Sequence, residues 1–292
     1  MKDTDTRPAR GRRIGRALGL TPASGHTFFY RHRLWVRIAH WLNALCLAFL
    51  LMSGLGIFNA HPALYWGNGS DFQHPIFSLT ATQDESGVVT KGWTWIDDHP
   101  FDTTGVLGAS PEDGQLAARG FPAWATLPGA QWLAMARQWH FAFAWILAIN
   151  GGLFLLYALF SGHAWRDLFP RRRDLLHLPA DIWNHLRLRF AHGEEARRYN
   201  VLQKLAYCAV IFGLGPLIVL TGLTMSPTMD AAFPILPWLF GGRQSARTIH
   251  FLCAFSFLLF FFIHIAMVVL SGTWNNLRSM ITGWYAIRKG EA

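Results

Sequence analysis

The sequence predicts an all-α integral membrane protein, a bundle of four transmembrane helices with one long outer loop, and three observations carry that prediction. Of its 292 residues, 52% are hydrophobic and only 15% are charged, where a soluble domain carries about a quarter charged residues. The hydrophobic residues are bunched into four long runs instead of recurring at the spacing of a soluble core. The Lys and Arg residues, which give a net charge of +9, fall mostly on alternate connections between those runs.

The runs are Ile38–Phe58, Trp139–Phe160, Leu205–Met225 and Ile249–Leu270, and none contains Asp, Glu, Lys or Arg. At about 1.5 Å of rise per residue, each spans the roughly 30 Å hydrocarbon layer as a helix. With their flanks they predict helices at about 34–58, 133–160, 204–225 and 247–271, within a membrane domain over 34–285. Residues 1–33 hold eight Lys or Arg, and no clear small-residue cleavage site follows. They read as a basic cytoplasmic arm and not as a secretory signal.

Nine Lys or Arg lie in 1–37, nine in 161–204 and three in 271–292, against five in the rest of the chain. The positive-inside rule therefore places both termini, the tail 286–292 and the loop 161–203 in the cytoplasm. The basic charge is a topology signal, so no nucleic-acid partner is expected. Membrane lipid is, since Arg10-Gly-Arg12-Arg13 and Arg171-Arg172-Arg173 suit anionic head groups. The outer loop, 59–130, carries eight acids and is too long for a simple connector. Its Trp93-Thr-Trp95-Ile-Asp97-Asp98 and Phe121-Pro-Ala-Trp124 stretches suit a cap on the bundle, an interfacial aromatic belt or a docking surface. No internal repeat or second soluble domain is evident.

Cys46, Cys208 and Cys253 all fall within the apolar runs and share no Cys-x-x-Cys spacing. Covalently attached c-type haem, iron–sulfur clusters and structural zinc are thereby excluded as cysteine-held groups. Four of the thirteen histidines lie inside the runs: His40, His140, His250 and His264. An ionisable side chain at that depth is costly and usually functional. With the amino terminus inside, His40 and His264 fall at the cytoplasmic level, and His140 and His250 at the outer level. The fourteen residues from His250 to His264 are close to four turns, which puts both on one helix face about 21 Å apart.

Each level thus receives two imidazoles from two different helices. Facing imidazoles joined through a planar macrocycle would make six-coordinate haem iron, suited to electron transfer. Zinc would need three or four ligands converging on one point. A proton relay stays open, although it would not require matched pairs. Arg37 and Arg247 lie one turn before His40 and His250, where they suit either haem propionates or snorkelling to the interface. Ser53-Gly54-Leu55-Gly56 and Gly213-Leu-Gly215-Pro216 suit either close approach of a macrocycle or small-residue helix packing.

Arg37-Ile-Ala-His40-Trp41-Leu42-Asn43, Ser53-Gly54-Leu55, Trp139-His140-Phe141, Arg247-x-x-His250 and His264 together resemble the bacterial cytochrome b-561 and Ni-hydrogenase b-type cytochrome family. Within that family the chain is most similar to thiosulfate reductase cytochrome b subunits. Asn200-Val-Leu-Gln203-Lys204-Leu-Ala-Tyr207, leading to Thr221-Gly222-Leu223, resembles their third helix. The resemblance implies two haem b groups, His40/His264 on the cytoplasmic side and His140/His250 on the periplasmic side. It further implies a membrane quinone as redox partner, a periplasmic catalytic subunit, guessed to be of molybdopterin type, and a bacterial inner membrane. On this reading the chain is a respiratory electron-transfer subunit with no catalytic residues of its own. The rival is a stand-alone quinone-linked superoxide oxidase, with Arg137, Arg243 and Arg247 as a cationic funnel. Asn43, Asn200, Gln203 and Lys204 are the polar candidates for a quinone site.

Overall fold

A computed structural model describes residues 26–171, 174, 176, 178–187 and 201–288. Residues 1–25 of the basic arm, with Arg172, Arg173, Asn200 and the tail residues 289–292, lie outside the described residues.

The protein is mostly helical. Among the described residues, four helices are long and apolar enough to cross a membrane: α1 (Leu34–Phe58), α2 (Leu133–Phe160), α4 (Val201–Thr224) and α7 (Arg243–Leu270). Shorter helices are α3 (Leu178–Leu186), α5 (Pro227–Ala232), α6 (Ile235–Leu239) and α8 (Thr273–Thr282). The long helices leave large apolar side chains bare; Leu153 is 63% exposed and Phe262 61%. Lipid is the solvent in which that exposure costs nothing, because its tails are as apolar as the side chains they meet. In α4 the backbone widens to a π-helical stretch at Ala209–Leu214, just ahead of Pro216. Proline brings no N–H and crowds the preceding turn, and the wider turn absorbs both effects.

The expected all-α architecture needs correction, since eight strands are present among the described residues. Segment 59–130, expected as a loop, contains a four-stranded antiparallel sheet: β2 (Ala63–Leu64), β3 (Phe77–Gln83), β4 (Val89–Ile96) and β5 (His99–Asp102), in that order. A hairpin of β6 (Ala109–Glu112) and β7 (Gln115–Ala118) follows. Local chemistry accounts for the sheet. Asp84 closes the β3–β4 turn by accepting from the backbone N–H of Ser86 and Val88 at 2.9 Å each, and Gly87 takes positive φ there. Thr80 pairs with Trp93 and Ser78 with Trp95. The indoles of Trp93 and Trp95 then donate to Thr82 and Thr80 at 2.8 and 3.0 Å, so both Trp residues are fixed on the sheet. Trp124 is 79% exposed.

By its contacts the chain forms two compact units: Met1–Trp41 with Phe154–Val210 and Leu259–Ala292, and Leu42–Leu153 with Ile211–Leu258. The second holds the sheet and the main buried apolar cluster, in which Phe58, Leu64, Leu79 and Phe121 pack with Phe251 and Phe255. Buried polar side chains lock the chain after the sheet. The Asn59 amide donates to the Phe121 carbonyl at 3.0 Å and accepts from its N–H at 2.7 Å. Buried Arg119 donates to the carbonyls of Phe121 and Gly129, to Thr126 and to Glu112.

In the first unit, β1 (His26–Tyr30) pairs antiparallel with β8 (Trp284–Arg288), joining the end of the basic arm to the segment after α8. Gly283, at φ 88, precedes β8, and a methyl there would strike the Tyr30 ring. Asn275 of α8 holds Ala286 by its carbonyl and its N–H at 2.8 and 3.0 Å. Beside this strand pair, burial pushes the His32 imidazole down to about 4, and Arg31, His40, Arg37 and His163 push the same way.

Two predictions follow from these contacts. Arg119→Ala strands several buried acceptors and removes a half-buried ion pair, so stability should fall by about 2 kcal/mol, seen as earlier thermal loss of the protein's circular dichroism in detergent. For His32 the folded pKa lies below the unfolded value of 6.5. The unfolded chain therefore binds the extra proton, and stability present above pH 6.5 is lost as pH falls towards 4. The melting temperature should drop more steeply over that window in the native protein than in His32→Gln.

Candidate functional site

The four intramembrane histidines form two facing pairs. In the first unit the ring centroids of His40 (α1) and His264 (α7) stand 6.1 Å apart with planes at 54°. In the second unit His140 (α2) and His250 (α7) stand 6.2 Å apart with planes at 62°. Two trans imidazoles on one metal ion, with bonds of about 2.0 Å and ring radii near 1.1 Å, stand about 6.3 Å apart centroid to centroid. Among the described residues no group of three or more His, Cys, Asp or Glu side chains could hold a metal ion. A pair supplies two ligands only, which fits an ion whose remaining positions are filled by a macrocycle.

The hydrogen bonds assign the ring nitrogens in the second unit. Nδ1 of His250 lies 3.0 Å from the Ile218 carbonyl, which can only accept, so Nδ1 carries the proton. Thr221 Oγ1, 3.1 Å away, gives its own proton to the Leu217 carbonyl at 2.8 Å and is an acceptor towards the ring. His140 Nδ1 is likewise 3.1 Å from Ser53 Oγ, whose proton goes to the Phe49 carbonyl at 2.6 Å. Both rings therefore keep Nε2 unprotonated and able to bind a metal ion. Ser53 and Thr221 are fully buried. Neither hydroxyl is marked in the sequence as a histidine partner; the signal is a hydroxyl residue preceding Gly-Leu in α1 and again in α4.

In the first unit, His40 Nδ1 is buried with no partner among the described residues, as is the Nε of Arg37 one turn earlier. Arg37 spends one terminal nitrogen on the Ile281 carbonyl, and the Trp41 indole donates to the Met280 carbonyl at 3.2 Å. The orphaned Arg37 Nε, always a donor, fits a bound group that carries acceptor oxygens. Arg247 donates to the His61 carbonyl and sits 5.5 Å over the Phe58 ring. Outside the helices, burial and then Arg247 hold the His61 imidazole below its usual range. Arg243 donates to the Met225 carbonyl at 3.0 Å, and Arg243 and Arg247 line a cavity of about 210 Å³ with Asn68, Met225 and Gln244. Arg137 lies 5.5 Å over the Phe141 ring instead of in that cavity.

The polar quinone candidates are partly engaged. Asn43 accepts from Asn150 at 2.7 Å in the second unit, whereas Lys204 donates to Asp174 at 2.6 Å in the first. Gly213 has open space around it. Gly56 lets the Leu127 backbone approach α1.

A multi-pass helical membrane protein with paired intramembrane imidazoles is the class these features define. Residues 114–283 match the family of prokaryotic cytochrome b561, and the chain belongs to it. It is 31% identical over 252 residues, 86% of this chain and 96% of the relative, to YedZ1 of Azospira oryzae, a protein named for a role as a subunit of a protein-methionine-sulfoxide reductase. That name differs from the thiosulfate reductase subunits the sequence resembles. No solved structure matches the chain. Membership makes it a membrane cytochrome of b type, so haem b is the group these residues would hold.

Proposed function

We propose that the chain is a two-haem electron-transfer subunit that carries electrons between membrane quinone and an oxidoreductase docked on the periplasmic side of a bacterial inner membrane, both termini being cytoplasmic. The observation that carries this reading is the double occurrence of facing imidazoles, at 6.1 and 6.2 Å. Haem held by each pair would supply reversible one-electron chemistry. His40 with His264, and His140 with His250, hold the two groups. Arg37 offers its free Nε to a carboxylate, and Arg247 offers the guanidinium nitrogens not spent on His61. Lys204, paired with Asp174, is the protonatable group at the start of apolar α4 best suited to quinone proton exchange. The relative's name supports a reductase subunit as partner; the proposed partner carries a molybdopterin centre, with methionine sulfoxide as the oxidant class. The cytoplasmic placement of the termini rests on the distribution of Lys and Arg.

A second reading, superoxide oxidation without a partner, is favoured by one feature, the cavity flanked by Arg243 and Arg247. Superoxide would then reduce the isolated protein rapidly and in a quinone-coupled manner; reduction no faster than in a control cytochrome rejects that reading.

A pyridine haemochrome assay with a reduced-minus-oxidised spectrum should find two haem b groups per chain. His264→Ala and His250→Ala should each leave one, a different one in each case. A native protein without haem, or a His264→Ala protein that keeps both groups, would overturn the proposal.

A further inference from the structure

The two ligands of the second unit are held by the same device, used twice. In α1, Ser53 Oγ faces Nδ1 of His140, and the Leu50 carbonyl three residues before it lies beside the same imidazole. In α4, Thr221 Oγ1 and the Ile218 carbonyl three residues before it face Nδ1 of His250. The next residue is glycine in both cases. A methyl at Gly54 would lie 3.3 Å from Cε1 of His140, and one at Gly222 would lie 3.3 Å from Cε1 of His250. Leu follows in both helices, and Phe follows the histidine in both α2 and α7. Each imidazole edge thus rests in a notch made by a hydroxyl, a carbonyl and a missing side chain. His40 in the first unit has no partner for Nδ1 among the described residues.

We propose that Ser53-Gly54 and Thr221-Gly222 are positioning residues for a single haem, the one held by His140 and His250, and that they set its axial-ligand basicity and ring orientation apart from those of the other haem. The inference rests on the two-haem reading. An imidazole whose Nδ1–H donates to oxygen is a more basic ligand, because the outer hydrogen bond pushes electron density towards Nε2. A more basic ligand favours the ferric ion and lowers the reduction potential, one of the protein's levers on haem. Removing the hydroxyl weakens that push while the carbonyl still fixes the tautomer. The alanine methyl at either glycine acts differently, turning or displacing the ring.

The test is a redox titration and low-temperature electron paramagnetic resonance on the purified protein. Ser53→Ala and Thr221→Ala should each raise the midpoint potential of one haem, the same one in both variants, with additive shifts in the double variant. The other haem should be unmoved. Gly54→Ala and Gly222→Ala should move the low-spin ferric signal of that same haem or lower its occupancy, with the other signal intact. Ser53→Thr and Thr221→Ser, which exchange the two hydroxyl residues, should keep native potentials, and they still carry the test if an alanine variant loses both haems. Unchanged values in all alanine variants, equal shifts of both haems, or hydroxyl-exchange variants that behave as the alanine ones do would overturn the proposal. A native protein lacking two haems would instead remove the two-haem reading itself.

Discussion

A neutral imidazole in a membrane must place one N–H. Hydrocarbon offers no acceptor and excludes water, so that proton needs a partner within the protein, and whichever nitrogen keeps it decides what the other can bind. In the second unit, α1 and α4 each meet this demand from within the helix, where a carbonyl that already accepts one bond has a single lone pair left, the one Ile218 turns towards His250. A Ser or Thr hydroxyl turned back onto the carbonyl four residues earlier still has lone pairs to spare, and it spends one on the histidine of a neighbouring helix. The orientation of Nε2, the facing of the two rings and the requirement for glycine beside each hydroxyl all depend on that arrangement.

The long helices were legible because a span of hydrocarbon imposes one simple demand, some twenty residues free of charge. The histidine pairs were legible for a related reason: depth in a membrane is a linear count along a helix, so equal depth could be assigned without knowing how the helices pack. The acceptors for Nδ1 were not, because a hydroxyl in an apolar run looks the same whether it back-bonds to its own helix alone or also serves a neighbour. Ser256 also bonds the carbonyl four residues earlier, at 2.8 Å, with no ring partner among the described residues. The glycines follow the same logic, and only contact distance separates Gly54 and Gly222, against imidazoles, from Gly213 in open space.

The sheet escaped notice because its signals are short and its composition polar. Seven and eight residues of β3 and β4 carry Thr, Lys and Gln among few aliphatics, and the apolar cluster that buries Leu79 of β3 draws on Phe58, Leu64 and Phe121 and also on Phe251 and Phe255, more than 150 residues further along. No local window contains both halves of that contact. Arg119 was equally hidden: counted as one of few outer cations, it is buried and spent on carbonyls, Thr126 and Glu112. Its charge contributes to the chain segment's fixed path rather than to a surface field.

The two pairs answer the same demand differently, and the difference bears on electron transfer. Identical ligands at identical spacing would give two haems with no reason to differ, and electrons would gain nothing by moving in either direction. Here the ligands are the same residue type and the ring separations agree closely, so any difference in potential must come from what surrounds the imidazoles. His140 and His250 rest on oxygen acceptors within apolar helices, whereas His40 Nδ1 has no partner among the described residues; Arg37 and Arg247 stand at the same offset from His40 and His250 and do not separate the two pairs. Acceptors at a ligand favour the more positive oxidation state of a bound iron, so on the two-haem reading a group held by His140 and His250 would be the harder of the two to reduce. The polar residues around the ligands, more than the ligands themselves, then give the path its slope.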